Sequence, residues 1–160
     1  MSSLEPLRRE HRELIPHIEA LRGVADKIGT VPADVLAGLV EDSLRFLTHH
    51  LVPHARAEDA ALYPLVDQAL GAGATATMSR EHEEVVSLTA ELQRAHDRLR
   101  AGEGVDAVAN DLRRLLYGLY TLVRVHFAEE EEVYLPVLEE HLTPGQVDDM
   151  LTAMHQAAHV

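Results

Sequence analysis

The chain has 160 residues, 46% hydrophobic and 4% aromatic, with a net charge of −13 and no cysteine. That length suits one domain, 1–160, with a sizeable core, and the apolar share excludes a disordered chain. The acidic balance leaves no basic patch for nucleic acid or an anionic membrane, and the lack of thiols excludes disulfides, thiolate metal sites and cysteine nucleophiles.

The start, Met1-Ser2-Ser3-Leu4-Glu5-Pro6, carries no apolar leader. No run approaches the ~20 apolar residues of a membrane span, so a cytoplasmic protein is expected. A first helix is predicted from about Ser3 to Ile28, with Leu7, His11, Leu14, Ile18 and Leu21 on one stripe and a local bend at Pro16. Gly29-Thr30-Val31-Pro32 breaks it. A second helix is predicted from about Ala33 to Leu70, its buried side marked by Leu36, Leu39, Val40, Leu44, Leu47 and Leu51. Pro53 and Pro64 predict kinks inside it, and Gly71-Ala72-Gly73 ends it.

The third helix, from about Thr75 to Arg100, turns Met78, His82, Val85, Val86, Leu92 and Leu99 inward. The fourth, from about Val105 to His141, leads through Leu112, Leu115, Leu116, Leu119, Leu122 and Val123 to His126. Thr143-Pro144-Gly145-Gln146 reads as a capping box that opens a short fifth helix to about Gln156. No segment alternates long enough for a strand. The expected fold is all-α: an up-down-up-down four-helix bundle with a short C-terminal fifth helix.

A repeat runs through this pattern. His54-x-x-x-Glu58 recurs as His126-x-x-x-Glu130, and Arg9-Glu10-His11 recurs as Arg80-Glu81-His82. Pro64 and Pro136 each follow the motif histidine by ten residues, and the copies are offset by 71 or 72 residues throughout. A four-residue step puts His and Glu on one helix face. All six residues, His11, His54, Glu58, His82, His126 and Glu130, fall on inward stripes, so the bundle brings four imidazoles and two carboxylates together in its core. Two buried carboxylates need a cationic partner, and no Lys or Arg lies on those stripes at that level. A metal meets the need. Imidazole and carboxylate suit Fe, Mn or Zn, and this many ligands suit two metals roughly 3.5–4 Å apart that both carboxylates could bridge.

The pattern His11, His54-x-x-x-Glu58, His82, His126-x-x-x-Glu130 resembles the hemerythrin-like, or HHE cation-binding, family over about residues 4 to 140. The resemblance implies two non-haem iron ions, oxo- or hydroxo-bridged, with Glu58 and Glu130 spanning them, and O2, peroxide or NO as the small-molecule partner. Two departures set the chain beside the bacterial members. Oxygen carriers have a second histidine on the third helix, where Met78 and Val86 stand here, and their last carboxylate is an Asp five residues after its histidine, where Glu130 follows His126 by four.

The function expected is O2, peroxide or NO binding, sensing or detoxification. An iron or redox sensor without turnover is the alternative, and a zinc-filled or metal-free interaction protein a third reading. With only Leu51, Leu62 and Leu122 nearby and no proton donor among them, catalase-like peroxide consumption is expected rather than stable O2 storage. Without metal, at least one core carboxylate is expected to take up a proton. His50 is a substitute ligand, a residue that supports the ligands from behind, or one that packs at the bundle's open end. Tyr134 either hydrogen-bonds a bridging carboxylate or packs as a core residue. Glu81, Glu83, Glu84, Glu129, Glu131 and Glu132 read as solvated. His17, His49, His96, His141, His155 and His159 read as surface or satisfied residues.

Overall fold

The computed structural model describes residues 3–159. Met1, Ser2 and Val160, part of the single-domain and leader readings, lie outside them. Helix α1 is Glu5–Lys27 and runs through Pro16. Helix α2 covers 33–70 and α4 covers 105–141, each interrupted by π turns. Helix α3 is Ala76–Arg100 and α5 is Pro144–Ala158. All five helices stand within a few residues of the sequence expectation. The Thr143–Gln146 capping box forms as predicted, with Gln146 N–H donating to Thr143 Oγ1 and Thr143 N–H donating to Gln146 Oε1.

Pro53 and Pro64, where kinks were expected, and Pro136 each follow a local widening of the helix. Three π turns, Leu47–Leu51, Glu58–Leu62 and Glu130–Tyr134, each stand two residues ahead of a proline: Pro53, Pro64 and Pro136. Proline has no N–H for the carbonyl four residues back, and its ring clashes there. The wider turn relieves the clash by pairing over five residues instead of four. Val52 N–H meets Leu47 O, Tyr63 N–H meets Glu58 O, and Leu135 N–H meets Glu130 O. The second and third π turns occupy equivalent places in the two copies of the repeat, and each starts at the motif glutamate.

Helix α1 packs against α2 and α4, and α3 packs against α2 and α4. Two apolar clusters form the core. One includes Ile18, Leu36, Leu92, Leu112 and Leu116. The other includes Leu4, Leu62, Met78, Leu138 and Met150, and draws in α5. Burial of one such Leu is worth roughly 1.5–3 kcal/mol, so the clusters give the bundle a firm frame on both sides of the His and Glu residues. Val86, expected inward, is 45% exposed. Among the described residues no helix is long and apolar enough to cross a membrane.

Candidate metal centre

The structure brings all six motif residues together. Helix α1 supplies His11, α2 His54 and Glu58, α3 His82, and α4 His126 and Glu130, and every one is buried. Glu58 and Glu130 are 0% exposed. His54 Nε2 lies 2.7 Å from Glu58 Oε1, and His82 Nε2 lies 3.1 Å from Glu58 Oε2. His11 Nε2 is 3.3 Å from Glu130 Oε2 and 3.5 Å from Glu58 Oε1. His126 Nε2 is 3.2 Å from Glu130 Oε1 and 2.9 Å from His82 Nε2.

These atoms are close, yet several are not aligned to hydrogen-bond one another. His11 Nε2, His54 Nε2, both Glu58 oxygens and Glu130 Oε2 are buried without a hydrogen-bond partner. Unpaired buried polar atoms are costly. Nitrogen lone pairs and carboxylate oxygens converging in this way fit a shared cation. Two overlapping groups could each hold one: His11, His54, Glu58 and Glu130, hereafter position A, and Glu58, His82, His126 and Glu130, position B. Within each group the ligand atoms lie within 4.8 Å of one another, and both carboxylates belong to both groups.

A ring of acids stands outside the histidines. His11 Nδ1 pairs with Glu131 at 2.7 Å, His54 Nδ1 with Glu10 at 3.0 Å, and His126 Nδ1 with Glu81 at 2.7 Å. His82 Nδ1 stands 3.0 Å from Asp59 without hydrogen-bond alignment. A carboxylate on Nδ1 places the proton there and leaves Nε2 free as a donor to metal. The ring obeys the repeat. Glu10 and Glu81 each precede a motif histidine and serve the histidine of the next helix, whereas Asp59 and Glu131 each follow a motif glutamate and serve the other copy. Glu81 and Glu131 were expected to be solvated, but both are only partly exposed because they reach inward to these rings.

In the metal-free protein the charges balance through the imidazoles. Burial opposes charge on His54, but Glu58 and Glu10 outweigh it and push its pKa up to about 10. His126 is desolvated too, yet Glu130 and Glu58 carry it up to about 11. Burial opposes charge on His11 as well, and Glu58 and Glu130 overcome it to raise the pKa. Glu58, although burial raises it, is held well below the usual carboxylate range by His54, His11 and His126. The expected protonated carboxyl is thus not found at Glu58; the protons sit on imidazoles.

Tyr63 is the residue that sequence reasoning missed. Its hydroxyl donates to Glu130 Oε1 at 2.6 Å and lies 3.1 Å from His126 Nε2 and 3.3 Å from His82 Nε2. Its ring stacks on His82 at 5.3 Å. Burial, then the charges of Glu58 and Glu130, push its pKa far above that of an ordinary phenol, so it stays protonated. An α-helical period points from Glu58 to Leu62, four residues on. The π turn brings the fifth residue round instead, and Pro64 was the available signal for that turn. The expectation that no proton donor stands near the site is therefore overturned. Tyr134 lies away from the carboxylates and donates to Ala74 O at 3.3 Å. His50 is exposed and lines an outer cleft with Glu10, Glu13 and His17. The π turn Leu47–Leu51 breaks the four-residue register by which His50 was placed on the site face, and Leu51 faces the site in its stead. His96 is 8% exposed with both ring nitrogens unpaired, so it is neither a surface residue nor a satisfied one.

Beside the six residues lies a small, partly open cavity of ≈ 10 Å³, walled by Leu51, Val85, Val123 and Phe127. Such a volume holds roughly one water-sized molecule. Phe127 stacks on His11 with ring centroids 4.5 Å apart.

The chain matches the hemerythrin HHE cation-binding domain over residues 2–138, and again over 76–159, the second match beginning near the second copy of the repeat. It belongs to the hemerythrin HHE cation-binding family. It is also 30% identical over 101 residues to the iron–sulfur cluster repair protein DnrN of Neisseria gonorrhoeae. That alignment covers 61% of this chain and 64% of the relative, so the shared part spans less than two thirds of the relative's length. No solved structure matches the chain significantly.

Proposed function

We propose that the chain holds two non-haem irons, one at each of positions A and B, with Glu58 and Glu130 bridging, and that its function is to bind and detoxify peroxide or a related small oxygen or nitrogen oxide. The observation that carries the reading is the set of unpaired, buried ligand atoms that face one another beside a small apolar cavity. Held by these residues, a di-iron pair would supply two electrons and a Lewis-acidic position for a small ligand. The chain supplies the surroundings. Leu51, Val85, Val123 and Phe127 exclude water and admit a small uncharged molecule. The outer carboxylates fix the imidazole tautomers. Tyr63 Oη holds a proton beside position B, on the side of His82 and His126, where a leaving oxygen needs one.

Turnover, expected for want of a proton donor, rests instead on Tyr63 as a proton source for the leaving oxygen. Catalase-like consumption balances as two peroxides giving O2 and two waters, with no further oxidant. The test is to mix the iron-loaded protein with hydrogen peroxide and record O2 release. Sustained release supports the reading, and a stable oxygenated protein without turnover contradicts it.

A second reading follows from the relative's printed role in iron–sulfur cluster repair. In that case the irons are cargo released to a damaged cluster rather than a resident centre. Iron transfer from the loaded protein to an apo-cluster acceptor, at a rate faster than to a chelator alone, distinguishes it.

A further inference from the structure

The repeat makes the two metal positions equivalent in ligands, but the fold gives them unequal access to solvent. Helix α5 packs against the 52–62 stretch of α2, and among the described residues no helix packs in the same way against α4. Between α1, α2 and α5 lies an open cleft of ≈ 210 Å³ that reaches His54. Glu10 stands in this cleft, its side chain 51% exposed, and holds His54 Nδ1. Its equivalent in the other copy, Glu81, is only 22% exposed. Position B is closed further by the stacked ring of Tyr63. Position B is reached through the ≈ 10 Å³ apolar cavity beside His82 and His126, whereas position A has in addition a wide cleft at the outer edge of His54.

The mouth of that cleft carries two histidines, His155 and His159, one turn apart on and just beyond α5. Their rings stand 4.4 Å apart between centroids. His159 Nδ1 lies 2.7 Å from a backbone carbonyl, His155 O. A carbonyl only accepts, so Nδ1 carries the proton and Nε2 keeps its lone pair. Both side chains are exposed, and a four-residue His spacing is one by which a helix grips a divalent cation. The chain's net charge of −13 draws cations to its surface.

Resting on the di-iron reading above, we propose that His155 and His159, with Glu10 on the facing wall, form a cation-loading site for ferrous iron at the mouth of this cleft, and that metal enters through position A. An ion is held first by the two imidazoles. It then meets the Glu10 carboxylate, and passes inward beside the His54 ring to the Nε2 atoms of His54 and His11. Loading of position B follows across the shared carboxylates of Glu58 and Glu130. Met154, buried at the floor of the cleft, keeps its wall apolar beyond the histidines.

The test compares metal uptake, not activity. Metal-depleted protein and an H155A/H159A variant are mixed anaerobically with ferrous iron, and bound metal is followed in time. Both changes fall on exposed residues, and the helical circular-dichroism signal checks that the variant is folded. The variant should reach the same final iron content but about tenfold more slowly, the rate lost when about 1.4 kcal/mol of ion capture by the two imidazoles is removed. H141A, which removes an exposed histidine on α4 away from the cleft, should leave the rate unchanged. Equal uptake rates in the double variant and the parent overturn the loading site while leaving the di-iron reading intact. Failure of the parent itself to take up iron overturns both. A second measurement uses Co2+ on protein already filled at both positions: a weak extra equivalent lost in H155A/H159A supports the site, and one retained there counts against it.

Discussion

Tyr63 Oη donates to Glu130 Oε1 at 2.6 Å, a contact across 67 residues that joins the first copy of the repeat to the second. In the second copy the residue matching Tyr63 is Leu135, buried and without a hydroxyl. The site therefore has near-symmetric ligands but one proton donor of this kind, on the position B side. If that proton serves turnover, Tyr63→Phe should keep its iron, because no motif ligand changes, while peroxide consumption falls by about 10²-fold or more, the usual share of a general acid. Iron content and O2 release on the same sample check both halves. Unchanged turnover would remove Tyr63 from the chemistry.

The outer carboxylates give a second expectation. Glu81→Gln should weaken metal affinity by about 10–100-fold, since the acid that orients His126 Nδ1 is lost. Glu83→Gln and Glu84→Gln, exposed on the same helix, should have no effect. Competition against a chelator of known affinity measures this, and equal losses at all three sites would mean that general surface charge, not ring orientation, sets affinity.

A third expectation concerns pH in the metal-free protein. His54 and His126 have folded pKa values raised to about 10 and about 11 from 6.5. Groups raised on folding add stability that is full below the unfolded pKa and is lost as pH rises through the folded one. Metal-free protein should thus lose stability progressively between pH 6.5 and 11. Glu58, lowered on folding, adds stability above its ordinary 4.5 that is lost as pH falls through its depressed pKa. Thermal melts across pH 5 to 10 should show the midpoint falling by several degrees toward the alkaline end, since ~1 kcal/mol moves the midpoint of such a domain by roughly 2–4 °C. Iron-loaded protein should show a flatter profile, because metal takes the place of the protons. A metal-free midpoint that rises with pH would contradict the imidazolium charge balance.

Much of this was legible in the sequence. The helices, the repeat and the six inward residues follow from periodicity and spacing, because a buried His or Glu must lie on the apolar stripe of its helix. Tyr63 was hidden because α-helical spacing fails over Glu58–Leu62, where the chain widens to accommodate Pro64. His50 was misplaced for the same reason at Leu47–Leu51. Glu81 and Glu131 looked like surface acids because a run of glutamates does not show which member turns inward. Only the packing of neighbouring helices shows that each reaches a histidine. The cleft at His54 depends on where α5 docks, which no local pattern fixes.

Iron counting bears most directly on the metal centre. Protein purified from iron-replete cells should carry about two irons per chain, as a pair of positions sharing two carboxylates requires. Glu58→Ala, which takes a ligand from both positions at once, should retain little of either iron. Two irons retained in Glu58→Ala, or a parent protein with one iron or none, would contradict a centre bridged by Glu58 and Glu130.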